Sequence, residues 1–223
     1  MASTTFSVED ARKSILEDGF FCVEDPVVGE RVLEIAEKGS PLLSEEGLEF
    51  CKLNVLDDER IRSILESTFE WCGLGLYRRF GSDSGHIFSF RRGGMQAGLQ
   101  VLVVHLWSSG SRVVYHSKSH LHSLNSVQAA NGLFEIPLAN LGRVGSIGTE
   151  LVFENGGLAI LDARLAFEIK QGSPITSVFA TEDELKRWAK IILPKSEDLV
   201  RKVAEMESKM IGVNVAFIAG GTR

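Results

Sequence analysis

The chain has 223 residues, of which 44% are hydrophobic and 24% charged, enough to close one substantial core without disulfides or metal. Its formal net charge of −6 argues against a nucleic-acid groove or an anionic membrane surface, since both need a clustered cationic face. Cys22, Cys51 and Cys72 are odd in number and form no CxxC pair, no basic-then-apolar leader is present, and no apolar run approaches the roughly 20 residues of a membrane span, so the expectation is a cytoplasmic protein.

Ser7, with Asp10 three residues on, predicts a helix cap ahead of Val8, Ala11, Ile15 and Leu16, and Gly19 ends that stripe. Phe20 to Val23 reads as a strand stopped by Asp25-Pro26. Further helices are expected over Val28 to Glu37 and Asp57 to Glu70. From Tyr77 the texture becomes short β-rich runs separated by Gly and Ser. The candidate strands are Ile87–Phe90, Leu99–Trp107, Arg112–His116, Leu133–Ile136, Thr149–Phe153, Leu158–Asp162 and Thr176–Ala180. Thr181 and Glu184 form a capping-box pattern ahead of Leu185, Trp188, Ile191 and Ile192, with Pro194 as the stop, and Ser196 opens a last helix through Met206. The organisation is a single α+β domain: a helical entry over about 7–70, a jelly-roll barrel over about 77–180, and C-terminal helices over about 181–210.

Three stretches carry a family resemblance. They are Ile15-Leu16-Glu17-Asp18-Gly19-Phe20-Phe21-Cys22-Val23, then Leu99 to His122 with its Ser117-Lys118-Ser119-His120 turn, and finally Gly156 to Phe179. Together they resemble the phytanoyl-CoA dioxygenase branch of the iron(II)/2-oxoglutarate dioxygenases. The resemblance implies a double-stranded β-helix of the cupin type, with iron held by a His-x-Asp pair before the central strand and by a late His.

The residues at the implied metal positions are not ligands. The segment Phe88 to Leu99 contains neither His nor Asp, Phe167 stands where the late His belongs, and Gly157 replaces the Asp of the family's Gly-Asp turn. Ile175, Thr176, Ser177 and Val178 supply no Arg for a 2-oxoglutarate carboxylate. The scaffold reads as kept and the iron chemistry as removed, so neither metal nor cofactor is expected.

The remaining polar groups are weighed against that background. Asp83 and His86 are more plausible as a polar turn than as ligands, and His116, His120 and His122 lack a nearby Cys, Asp or Glu to complete a metal set. His105 alternates with Val101, Val103 and Trp107, which favours a neutral core imidazole over an acid/base group. Arg91, Arg92 and Arg112 suit carboxylate or phosphate pairing but read first as partners of surface acids, and Asp162, Arg164 and Glu168 read as strand-edge polar groups. The candidate pocket is Arg91, Arg92, His105, Trp107, Tyr115, Arg164 and Phe167.

Two functions compete. The first is a non-catalytic partner of an active oxygenase, similar to the iron-free subunit of paired fungal meroterpenoid oxygenases in specialised metabolism, acting as a heterodimer or as a homodimer. The second is a stand-alone, metal-free isomerase or cyclase that holds a small apolar metabolite in the old pocket, with His105, Tyr115 or an Arg as acid/base or orienting group. A working dioxygenase with displaced ligands ranks third. For the partner reading, the expected apolar surfaces are Leu185, Trp188, Ile191, Ile192 and the Val213–Ile218 tail.

Overall fold

A computed structural model of the chain describes residues 6–219. Helix α1 (Val8–Glu17) starts where Ser7 Oγ accepts the Asp10 N–H, and α2 (Pro26–Glu37) starts where Asp25 Oδ1 accepts the Val27 and Val28 N–H groups. Between them Gly19, at φ 95°, turns the chain into β1 (Phe20–Glu24). A side chain at Gly19 would run into Leu165 and the His120 ring, so this turn also brings α1 against the barrel. Helix α3 (Glu45–Cys51) passes through one π turn (Lys52–Leu56), and α4 (Glu59–Thr68) follows with Asp58 as its cap.

Two six-stranded sheets follow. The first places β1, β9 (Gly157–Asp162), β4 (Val101–Trp107), β11 (Ile175–Ala180), β2 (Cys72–Arg79) and β13 (Ile211–Val213) side by side. The second runs β6 (Val127–Gln128), β7 (Phe134–Glu135), β3 (Phe88–Ser89), β10 (Ala166–Gln171), β5 (Ser111–His116) and β8 (Gly148–Phe153). Consecutive strands alternate between the two sheets along β2–β3, β4–β5, β8–β9 and β10–β11, which is the jelly-roll, double-stranded β-helix arrangement.

Period-two alternation divides β4 between two cores. Leu102, Val104 and Leu106 face the helices and pack with Ala11, Ile15, Val32, Ile61 and Leu65. Val101, Val103 and Trp107 face the second sheet and pack with Tyr115, Leu161, Phe167 and Val178. Because β4 and β9 are buried on both faces, they read as apolar runs, broken by His105 in β4 and ended by Asp162 in β9.

The α+β jelly-roll class and the flanking helices agree with expectation, but several elements differ. Strands β2 and β10 were not among the expected strands, and α3 and α5 (Leu138–Arg143) were not among the expected helices. In β2, Gly73 and Gly75 dilute the apolar signal, and their bare backbone lets Leu185 and Trp188 lie directly against the strand. The helix expected from Thr181 to Ile192 stops after one turn, α6 (Glu182–Leu185), and the Thr181 side chain caps nothing. Ile191 to Pro194 instead forms β12, paired in parallel with β14 (Val215–Ile218), because the apolar tail gives it a strand partner. Helix α7 (Glu197–Met206) starts at Ser196 as expected, its Oγ accepting the Leu199 N–H.

Candidate functional site

The barrel interior brings four of the seven candidate residues together. His105 and Trp107 project inward from β4, Tyr115 from β5 and Phe167 from β10, and all four are at most 1% exposed. The His105 ring centroid lies 5.3 Å from that of Trp107 and 5.4 Å from that of Phe167, both edge-on. From the segment implied to hold the His-x-Asp pair, Phe90 reaches this point. Its ring stacks on Phe167 with centroids 5.4 Å apart and planes 16° apart. An iron ion needs N or O donors around an open position, and here two hydrocarbon rings fill the space in contact, so these residues do not fit an iron centre.

Gly157 has a structural reason of its own. A Cβ at that position would collide with the Val23 carbonyl across the β1–β9 pair, so this backbone leaves no room for the Asp of the family pattern. Thr176, from the stretch that the family pattern would have supply an Arg, pairs across the sheet with His105 of β4 and Arg78 of β2.

Burial sets the electrostatics of the interior. His105 Nδ1 lies 3.4 Å from the Tyr115 hydroxyl, while His105 Nε2 and Thr176 Oγ1 are buried without partners. Desolvation pushes the His105 pKa down to about 3 and raises that of Tyr115 well above the ordinary phenol value. A histidine that stays a neutral imidazole until strongly acid pH, beside a phenol that keeps its proton, is poorly matched to acid/base work near neutrality.

The three arginines of the candidate pocket are placed elsewhere. Arg164 is buried, its Nε and Nη2 donating to the two Asp162 carboxylate oxygens at 2.9 and 2.6 Å while Nη1 donates to the Gly94 carbonyl. It is a clamp that fixes the turn after Phe90. Arg91 donates to the buried Glu184 at 2.7 Å and so ties the same segment to α6. Arg92 is exposed, its guanidinium carbon 5.0 Å from the Phe134 ring centroid. Arg112 pairs with Glu150 on the surface. Glu168 accepts the Gly85 N–H and the Lys170 ammonium, which hold its carboxyl below the usual range against the effect of burial.

The histidine cluster does not converge. His120 Nε2 donates to the Leu16 carbonyl at 3.1 Å, and neither His116 nitrogen has a partner. His86 Nδ1 meets Glu135 at 2.7 Å while Asp83 lies 3.9 Å from its other nitrogen. Among the described residues no group of three or more His, Cys, Asp or Glu side chains is placed to hold a metal ion. None of the described helices is long and apolar enough to cross a membrane.

No protein-family model and no curated protein matches this sequence. Solved structures do. The epimerase SnoN, in complex with Fe3+, alpha ketoglutarate and nogalamycin RO, superposes with a TM-score of 0.55 at 11% identity over 78% of this chain and 83% of its own. AviO1 from Streptomyces viridochromogenes Tue57 gives 0.52 at 13% identity, covering 81% of this chain and 97% of its own. EctD from S. alaskensis with 2-oxoglutarate and 5-hydroxyectoine gives 0.51 at 10% identity, covering 85% and 80%. The chain therefore has the fold of the non-heme iron, 2-oxoglutarate-dependent oxygenases, and at these identities the likeness speaks for the fold alone.

Proposed function

We propose that this chain is an iron-free member of the phytanoyl-CoA dioxygenase-like branch that serves as the non-catalytic partner subunit of an active oxygenase in specialised metabolism. The observation that carries the reading is the Phe90–Phe167 stack, two hydrocarbon rings in contact at the positions where the resemblance implies iron ligands. The scaffold around it is otherwise invested in order, with Arg164 and Arg91 anchoring the flanking segment. A barrel kept rigid without metal chemistry retains its surface as its useful feature. That surface includes the C-terminal ribbon, where Ile192 and Ile218 are each about half exposed. The metal-free isomerase or cyclase reading rests on the unpartnered His105 Nε2 and Thr176 Oγ1, but the depressed His105 pKa weighs against it. Displaced iron ligands find no support in the scattered histidines.

Affinity purification of the tagged chain from its native cells, followed by mass spectrometry and assay of the recovered enzyme, tests the proposal. The expected result is stoichiometric recovery of an oxygenase that keeps its own iron ligands and turns over more slowly once the chain is removed. A chain that purifies alone and rearranges a metabolite unaided would favour the isomerase reading instead.

A further inference from the structure

Between the end of β2 and the β3–β10 pair lies a cavity of about 260 Å3 that no sequence motif marks. Its lining includes the hydrocarbon side chains of Phe80, Phe88, Leu133 and Phe167. Arg78 and Arg79 add two cationic side chains to that lining. Arg78 stands over Phe80, guanidinium carbon 4.6 Å from the ring centroid. The arginines that anchor the Phe90 segment, Arg91 and Arg164, each hold a carboxylate, whereas Arg78 and Arg79 hold none among the described residues. A guanidinium resting with its face on a ring keeps its in-plane N–H fork free, and that fork matches the two oxygens of a carboxylate.

Neighbouring groups reinforce the polarity. Arg79 adds a second positive charge at the rim, where partial burial lowers its pKa from the usual value. The Asn131 side-chain oxygen accepts the Leu133 N–H at 2.9 Å, which leaves its amide nitrogen to donate into the space. Asp83 also lies at the rim and opposes an anion, but His86 sits 3.9 Å from it, and the Glu135 hydrogen bond favours the charged imidazolium.

Size sets the body of the ligand. An apolar cavity of about 150 Å3 takes one benzene ring, so the larger space here takes a ring with a short acid arm. We propose that this cavity binds a small aromatic monocarboxylate, its carboxylate on Arg78 and its ring against Phe88 and Phe167. The site stands independently of the oxygenase-partner reading.

Calorimetry on the full chain tests it, with phenylacetate as the probe and phenylacetamide, inorganic phosphate and 2-oxoglutarate as comparisons. The expected result is saturable phenylacetate binding at one site per chain, with each comparison at least about tenfold weaker. Arg78→Gln, a change at an exposed side chain without an ion pair, should keep the thermal midpoint and lose at least about tenfold in phenylacetate affinity. Intermolecular NOEs from the phenylacetate ring to the Ile169 methyl groups, which line the same space, place the ligand without any substitution. The proposal is overturned by the absence of saturable binding, by unchanged affinity in Arg78→Gln, by phosphate or 2-oxoglutarate binding as tightly as phenylacetate, or by NOEs that map elsewhere.

Discussion

The ring of Phe90 stacks on the ring of Phe167, centroids 5.4 Å and planes 16° apart, and so joins two segments that the sequence resemblance assigns to metal ligands. The contact joins the segment after β3 to the start of β10. Burial differs between the two rings: Phe167 is 1% exposed and Phe90 is half-buried.

That contact predicts a measurable coupling. Phe167→Ala should cost about 3–5 kcal/mol and Phe90→Ala less, because the outer ring leaves a space that solvent can enter. Urea unfolding of the single and double variants should return an interaction of about 0.5–1.5 kcal/mol. Strict additivity would mean that the rings pack independently.

Restoring one imidazole should not restore chemistry. Phe167→His leaves Phe90 stacked at the new ring and places only the buried His105 beside it, short of the three donors an iron centre needs, and ligand sets act as a unit. The variant should be less stable by about 2 kcal/mol, from burial of a polar ring without partners. It should not decarboxylate 2-oxoglutarate when supplied with iron. Turnover by that variant would show that ligands stand at other positions.

Stability should fall as the medium is acidified, and His105 should account for part of the loss. Its folded pKa, about 3, lies below that of an unfolded histidine, so the unfolded chain gains a proton that the folded chain refuses. The stabilising contribution is therefore complete above about pH 6.5 and is lost as pH falls toward the folded value, by at most about 1.4 kcal/mol per pH unit for each such group. Burial shifts His116 and His120 in the same direction. Urea midpoints from about pH 7 to 5 should decline less steeply in His105→Gln than in the parent, and parallel curves would contradict the assignment.

The Asp162–Arg164 clamp gives a stability test with a different signature. Asp162→Ala strands a buried guanidinium and should cost about 3–5 kcal/mol. Replacing both residues with apolar side chains should cost much less than the sum of the single changes. A loss below about 1 kcal/mol for Asp162→Ala would place the pair in the exposed class.

The sequence was most legible where a single physical rule dominated. Ser7 and Ser196 marked their helix starts because a side-chain oxygen there meets an orphan N–H, and the shared face of Val101, Val103, His105 and Trp107 followed from strand alternation, although not which way it points. It was misleading where tertiary partners decided. Ile191 and Ile192 fit a helix stripe, yet the tail at Val215 and Ala216 draws them into a parallel pair. The tail is thus partly structural: β13 extends the first sheet beside β2, so removing the residues after Met210 would strip a strand from the barrel as well as any interface. At the site, the family pattern pointed to Phe167 and to the Phe88–Leu99 segment, and the fold brings Phe167 into contact with Phe90 of that segment. The Phe90 contact and the Arg78 cavity depend on residues far apart in sequence, and no spacing rule reveals them.

The most direct measurement of the central claim is metal content after anaerobic loading with iron(II), followed by titration of the loaded chain with 2-oxoglutarate. An iron-free dioxygenase fold predicts iron well below one equivalent per chain and no saturable heat with the co-substrate. One tightly held iron per chain with micromolar 2-oxoglutarate binding would contradict it, and would mean that the rings of Phe90 and Phe167 do not mark the place where this barrel keeps its metal.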